Sequence, residues 1–317
     1  MISWNLCLDI EQGKINFSLD VPAEFQASLQ SLLTPEPERA RELRAIFGQG
    51  FAKPVAALVW PKLKRIVAIG TGSFAVYTKA LSKYIGDLPQ DNGLFATSEA
   101  LIGKSMTGSD NYKLLTGENF YEFRPLTATP EQRPLFISEL QAGESYEIIL
   151  TNRAGLYRYA TEMVIKVESC EDGKLIFSDI GQLSDTLTLE DGLLWEQEIY
   201  QAIAAAAEAD GVALLDYSYC LQDTDGSSRL QLMLETDDKT KNLAPDIDKR
   251  LCEANQVYAA ARKKGLLPCE VSYLAAESHL LYRDVQRFRQ KTAPDQIKPT
   301  HFLNTTEKIK FFTAVLE

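Results

Sequence analysis

The best-equipped place for chemistry in this chain is an arginine held between two tyrosines and preceded by a glycine, Gly155-Leu156-Tyr157-Arg158-Tyr159. A guanidinium is a fixed cation, aromatic faces stack on planar groups, and a glycine lets a ligand approach the backbone; the set suits an anionic or planar ligand. The same residues also suit a strand-end arginine paired with a carboxylate over packed tyrosines, and spacing alone leaves both readings open. Upstream, Gly70-Thr71-Gly72-Ser73 stands between an expected strand over residues 64–69 and an expected helix over 74–84. Backbone N–H groups at such a turn can face an anion, but no GKS/T and no three-glycine dinucleotide spacing accompanies it, so it reads first as a structural turn.

These groups need strands to hold them. Residues 146–151 form an apolar run of the kind a buried strand shows and 164–167 resume it, which makes 152–163 the connection that presents Arg158. Phe120-Tyr121-Glu122-Phe123-Arg124-Pro125 is a further aromatic strand. A glutamate buried there unpaired would be strongly destabilising, so Glu122 must face solvent, a cation or a pocket, and Arg158 is one candidate partner. Residues 127–142 read as polar loop. Residues 1–60 read as helical scaffold, with the prolines and acids of 34–39 opening a helix that stops at Gly48 and Gly50.

Past Gly181 the composition changes. Glu171-Asp172-Gly173 signals a hairpin. Beyond it the pattern predicts a helix over 193–210, strands over 212–221 and 229–235 joined through Asp225-Gly226, one helix over 245–264, a strand over 269–274 and a helix over 279–289. An αββαβα order of this kind describes a small α+β domain.

With 317 residues, 45% apolar and 24% charged, the composition is that of a globular protein long enough for two domains. No apolar run reaches the ~18 residues of a membrane span, and MISWNLCLDI lacks the basic flank of a signal peptide. Five scattered cysteines without a CxxC and two histidines, His279 and His301, argue against a zinc site or disulfide framework and for a reducing, cytoplasmic setting. A net charge of −11 disfavours nucleic acid, whose phosphates need concentrated positive charge.

The run Ala154-Gly155-Leu156-Tyr157-Arg158-Tyr159, after an apolar strand, resembles the third nucleotide-binding motif of the plant auxin-responsive Gretchen Hagen family of acyl-acid amido synthetases, a branch of the acyl-adenylate-forming enzymes. Phe95-Ala96-Thr97-Ser98-Glu99 resembles its second motif, Tyr121-Glu122-Phe123 its aromatic-Glu-Phe strand, and Gln296-Ile297-Lys298-Pro299 its closing Gln-x-Lys motif. The resemblance implies that Thr97, Ser98 and Glu99 meet phosphate oxygens and, through Glu99, Mg²⁺. Their residue types equally suit a helix N-cap. Tyr121, Glu122, Tyr157 and Arg158 are implied to line the nucleotide and acid pockets, and Lys298 to act at the α-phosphate.

Some positions depart from the family pattern. An aspartate expected to hold the ribose hydroxyls falls at Met163, whose thioether accepts hydrogen bonds only weakly. Glu162, one residue early, substitutes only if the turn re-aims it. An arginine expected after Gly181 is Gln182, and the Gly-Glu-Lys-Leu beyond it reads Glu190-Asp191-Gly192-Leu193. The first motif, a phosphate loop, has no counterpart, because the resemblance begins inside the family's large domain.

The implied fold is α/β and two-domain, like that of adenylate-forming enzymes: the C-terminal portion of the large adenylation domain over 1–180 and a small, mobile α+β domain over 181–317, hinged at 182–192. ATP/AMP and Mg²⁺ are the implied cofactors, and a small carboxylic acid and an amino acid the implied substrates of a ligase. The departures imply weak or absent activity for the chain alone. The alternative is a non-catalytic protein that keeps a small-acid or nucleotide pocket, and core exposed where a missing N-terminal portion would sit favours self-association.

Overall fold

The computed structural model describes residues 2–15, 22–129, 131–224, 226–291 and 297–317. The chain divides into two compact units, Met1–Ile66 with Lys79–Pro89 and Val67–Thr78 with Gln90–Glu317. The first contains helices α1 (Ile2–Gln12), α2 (Ala23–Ser31), α3 (Pro37–Gly48) and α4 (Ala56–Val59). Pro37 sits in the first turn of α3, where its missing N–H is not needed. Cys7, Leu43, Ile46 and Val59 bury a small core, and Arg44 pairs with Glu11 at 2.5 Å. Helix α5 (Ala75–Ile85) follows a 3-10 turn at Gly72–Phe74, and β1 (Ile66–Val67) and β2 (Gln90–Asp91) are two-residue strands.

The second unit is built on a wholly antiparallel seven-stranded sheet. Its strands are β3 (Leu94–Ala96), β4 (Leu101–Ser105), β5 (Tyr112–Leu114), β6 (Asn119–Pro125), β7 (Ser145–Asn152), β8 (Tyr159–Glu171) and β9 (Lys174–Gln182), in the spatial order β3-β4-β5-β9-β8-β7-β6. Alternate residues of these strands bury one face, with Phe95, Tyr112 and Phe177 in mutual ring contact beside Phe123, Ile148 and Ile165.

The connection expected over 152–163 is shorter, because β8 begins at Tyr159. Glu147 faces Val164 while Ile149 faces Ala160, so β8 carries two extra residues in a bulge at 161–163. Buried Thr161 pins that bulge by donating its hydroxyl to the Ile148 carbonyl at 2.8 Å.

Strands β10 (Leu187–Leu189) and β11 (Gly192–Leu194) make a short hairpin before α6 (Glu196–Ala209). Strands β12 (Leu214–Thr224) and β13 (Ser227–Thr236) pair antiparallel, and β14 (Leu267–Tyr273) joins β13 in parallel. Asp225, in the expected turn, lies outside the described residues. Helices α7 (Ala244–Ala254), α8 (Gln256–Lys264), α9 (Ser278–Gln290) and α10 (Thr306–Ala314) complete the unit. The tail adds itself to the free edge of this sheet. Phe302 bridges Tyr219 in parallel, with the Tyr219 N–H donating to the His301 carbonyl at 2.7 Å and the Leu303 N–H to the Tyr219 carbonyl at 2.8 Å. Among the described residues no helix is long and apolar enough to cross a membrane.

The single helix expected over 245–264 is two. Asn255 leaves the helical region and caps α8, its Oδ1 accepting the Tyr258 N–H at 2.7 Å, while its Nδ2 donates to Glu198 Oε2 at 2.7 Å and the Leu193 carbonyl at 3.2 Å. Polar satisfaction of one buried side chain thus overrides a continuous helical periodicity. Asn255→Ala removes all three bonds and should cost about 2 kcal/mol or more. Urea denaturation tests this: a midpoint equal to that of the parent would contradict the capping role.

Candidate functional site

Asn152, at the end of β7, folds the Arg158 loop around its own side chain. Its Oδ1 accepts the N–H groups of Ala154 (3.0 Å) and Leu156 (3.3 Å), and the Arg158 N–H donates to Thr151 Oγ1 at 2.9 Å. Gly155, at φ +101°, allows the turn. Arg158 itself sits at φ +49°, a conformation costly for a residue with a Cβ. Its guanidinium grips Glu122 of β6 with two bonds, Nε to Oε2 and Nη2 to Oε1, each 3.0 Å. The carboxylate pairing expected of Arg158 is present, and it resolves the burial of Glu122. Tyr157 and Tyr159 are exposed. Tyr121 is buried on β6, its hydroxyl accepting from Asn119 Nδ2 at 2.9 Å.

Thr97, Ser98 and Glu99 form the tight turn between β3 and β4, so they cap no helix. Thr97 Oγ1 accepts the N–H groups of Glu99 and Ala100, both at 3.3 Å. Asn152 Nδ2 donates to the Glu99 carbonyl at 2.9 Å, which joins this turn to the Arg158 loop. The two motifs that looked most capable of chemistry are thereby neighbours. Among the described residues no three His, Cys, Asp or Glu side chains gather as a metal ion would need, and Glu99 is a single carboxylate.

A cavity of about 180 Å³ opens beside the Gly-rich turn, walled by Ser73, Met163, Asp179, Gln182, Glu196 and Lys298 among others. It collects Lys298 and both substituted positions, Met163 and Gln182, whereas Arg158 and the 97–99 turn do not line it. Glu162, at φ +60° on the bulge, is exposed and also outside this lining. Gln296 of the closing motif lies outside the described residues. Asp179 was not singled out by its sequence context, yet its Oδ1 is buried without a hydrogen-bond partner. Burial pushes its carboxyl up to about 7; a hydrogen bond from the Gly181 N–H and the nearby Lys298 ammonium oppose the rise, and the Glu196 carboxylate adds to it.

Residues 3–90 match the GH3 family N-terminal domain, 112–173 the GH3 family central domain and 197–307 the GH3 family C-terminal domain. The chain belongs to the GH3 family. Relatives include the jasmonoyl-L-amino acid synthetase GH3.5 of Oryza sativa subsp. japonica, 24% identical over 298 residues that cover 85% of this chain and 51% of that protein. Another is the 4-substituted benzoates-glutamate ligase GH3.12 of Arabidopsis thaliana, 25% identical over 247 residues, 75% of this chain and 43% of that one. The fold is similar to that of the GH3.15 acyl acid amido synthetase solved with 2,4-DB, with a TM-score of 0.81 at 19% identity, covering 100% of this chain and 58% of that chain. The chain spans about half the length, or less, of these curated relatives.

In this GH3 chain the cavity wall is anchored by residues that motif reading passed over. Buried His301 bonds Glu196 Oε1 through Nδ1 at 2.6 Å and Asp216 Oδ1 through Nε2 at 3.0 Å. Burial alone would depress its pKa; the two carboxylates outweigh that and hold it up at about 9, so the ring is an imidazolium at neutral pH. The acids are satisfied in turn: Ser73 Oγ donates to Glu196 Oε2 at 2.9 Å, the Tyr217 hydroxyl to Glu196 Oε1 at 3.0 Å and the Tyr77 hydroxyl to Asp216 Oδ2 at 2.6 Å. The Tyr217 ring stacks on the imidazolium, with centroids 4.1 Å apart. Lys298 lies three residues before His301 in the chain. What could have drawn attention to His301 is its rarity, one of only two histidines and just beyond a lysine motif.

Since the folded-state pKa of His301 lies above its ordinary 6.5, its stabilisation is full below about 6.5 and is lost as pH rises through about 9. Thermal melts between pH 6 and 9.5 should show the parent losing stability across that window. His301→Ala should be destabilised by about 3–5 kcal/mol at pH 6 because two buried carboxylates lose their counter-ion. A variant matching the parent at pH 6 would refute the ion triad.

Proposed function

We propose that this chain works in an ATP-dependent acyl-acid amido synthetase reaction. A carboxylic acid attacks the α-phosphorus of ATP and expels pyrophosphate; an amino acid amine then attacks the acyl carbon, a proton leaves the nitrogen, and AMP departs with the former acid oxygen. One observation supports the reading above the others: Lys298 shares a cavity with the Gly-rich turn and with Met163 and Gln182, the positions where the family resemblance puts nucleotide contacts.

Within that reading, the ammonium of exposed Lys298 offsets charge growing at the α-phosphate. Asp179 adds to the cavity lining a carboxyl whose Oδ1 is buried without a hydrogen-bond donor. Arg158 is bonded to Glu122 and holds the 152–158 loop beside the 97–99 turn; the family resemblance would have Thr97, Ser98, Tyr121 and Tyr157 border the acid and nucleotide pockets, although none of the four lines the Lys298 cavity. Mg²⁺, if used, would take Glu99 as its protein ligand and phosphate oxygens for most of its shell. Residues 181–317 take the part of the small domain and 182–192 of its hinge, so turning there has to part the Ser73–Glu196 and Tyr77–Asp216 bonds.

Met163 and Gln182 favour slow turnover, because each removes a polar or charged contact from the nucleotide side of the cavity. They also keep open the second reading, a protein that binds a small acid or nucleotide without catalysis. Exposed Phe120 and Phe136, in edge-to-face contact, offer an apolar face for a second copy of the chain.

ATP–pyrophosphate exchange across indole, benzoate, jasmonate-like and fatty acids with Mg²⁺ separates the readings. Exchange above background with one of these acids, lowered at least about 100-fold by Lys298→Ala, is the expected result. No exchange with any acid, alongside calorimetric binding of AMP or an aryl acid, would favour the binding protein instead.

A further inference from the structure

Lys298 also lines a second and larger cavity, of about 350 Å³, a volume usual for a small-molecule site. All of its lining belongs to the second unit, from Phe74 and Tyr77 through Leu215 to α9 and the tail. Phe74, Leu215, Leu280, Tyr282 and Ile297 give it apolar surface.

Its charged groups divide in two. Asp216 and Glu235 are spent. Asp216 Oδ1 accepts the Tyr217 N–H at 2.9 Å and His301 Nε2 at 3.0 Å, and its Oδ2 the Tyr77 hydroxyl at 2.6 Å. Glu235 Oε1 accepts the Glu277 N–H at 2.6 Å, and its Oε2 the His279 N–H at 3.3 Å and Nδ1 at 3.0 Å. Glu277, Arg283 and Lys298 are exposed, and among the described residues none of these three side chains has a hydrogen bond or an ion pair. With Asp216 offset by the His301 imidazolium, the lining sets two carboxylates, Glu235 and Glu277, against two cations, Arg283 and Lys298. Such a lining favours neither an anion nor a cation, and a zwitterion fits it. Glu277 caps α9 and Arg283 follows six residues on, about 9 Å along the axis, with Leu280 between them on the same cavity wall. That span admits the ammonium and carboxylate of one α-amino acid with a hydrogen bond of about 3 Å at each end.

We propose that this cavity seats the amine substrate and takes an amino acid with an apolar side chain, its α-carboxylate on Arg283, its α-ammonium on Glu277 and its side chain against Phe74, Leu215 and Tyr282. The assignment rests on the amido synthetase reading above and adds to it the class of the amine. A guanidinium matches a carboxylate with two parallel bonds, which makes Arg283 the better partner for that end. Lys298 lines both cavities, so an amino acid held here lies next to the one that the synthetase reading gives to the acyl phosphate.

Isothermal titration calorimetry on the full chain with L-leucine, L-leucinamide, 4-methylpentanoate and L-glutamate tests it. Leucine should bind at least tenfold more tightly than the amide, which lacks the carboxylate, the pentanoate, which lacks the ammonium, and glutamate, which brings a second negative charge. Arg283→Gln, an exposed change checked for a parental circular-dichroism spectrum, should weaken leucine at least tenfold and leave leucinamide unchanged. No binding of leucine, leucine no tighter than leucinamide, or glutamate tighter than leucine would overturn the assignment. ATP–pyrophosphate exchange needs no amine and keeps the two readings apart: exchange without leucine binding would strike the assignment alone, whereas leucine binding without exchange would strike the synthetase reading and leave an amino acid site.

Discussion

A buried imidazolium between two carboxylates is the interaction on which the rest of the cavity depends. His301 joins Glu196, in the first turn of α6, to Asp216 on β12, and Glu196 in turn holds Ser73 of the Gly-rich turn. Removing three charged groups from water is unfavourable unless each is paired and hydrogen-bonded, and here Ser73, Tyr77 and Tyr217 complete the shell. Such a cluster is all-or-none: with one member gone, the others become uncompensated buried charges. Segments far apart in sequence are thereby held in one arrangement, including the stretch that presents Lys298.

The seven-stranded sheet serves a different purpose. Its loops are held by short-range polar bonds, with Asn152 closing the Arg158 loop and tethering it to the Glu99 carbonyl. Arg158 and Glu122 form a strut between β6 and the start of β8, and the positive φ of Arg158 is tolerated because that strut and the Thr151 bond define it from both sides. The resulting frame is firm, but its arginine is already engaged. Lys298 and Asp179 instead line one cavity together with Met163 and Gln182.

Much of this was legible in advance and some was not, for physical reasons. The α/β class, the Glu171–Lys174 hairpin turn and the Glu122–Arg158 pair follow from alternation, turn chemistry and the cost of an unpaired buried acid. The break at Asn255 was hidden because helical periodicity continues across it; only the three-dimensional position of Glu198 makes a cap there worthwhile. The bulge at 161–163 was hidden for a similar reason, since it is set by Thr161 reaching the Ile148 carbonyl of a neighbouring strand. His301 was weighed only as a metal ligand, and its carboxylate partners lie 105 and 85 residues away in the chain. Asp179 sits in an ordinary strand context, and its isolation is a property of the cavity.

The ion triad is most directly tested by the ring nitrogens of His301, followed by ¹H–¹⁵N NMR from pH 5.5 to 10 and assigned by comparison with a His279 variant. Both nitrogens should stay protonated through pH 8 and titrate near 9, as an imidazolium held by two carboxylates must. A ring that is neutral at pH 7.5, with one nitrogen bare, would mean that the anchor beneath Lys298 is not the one described.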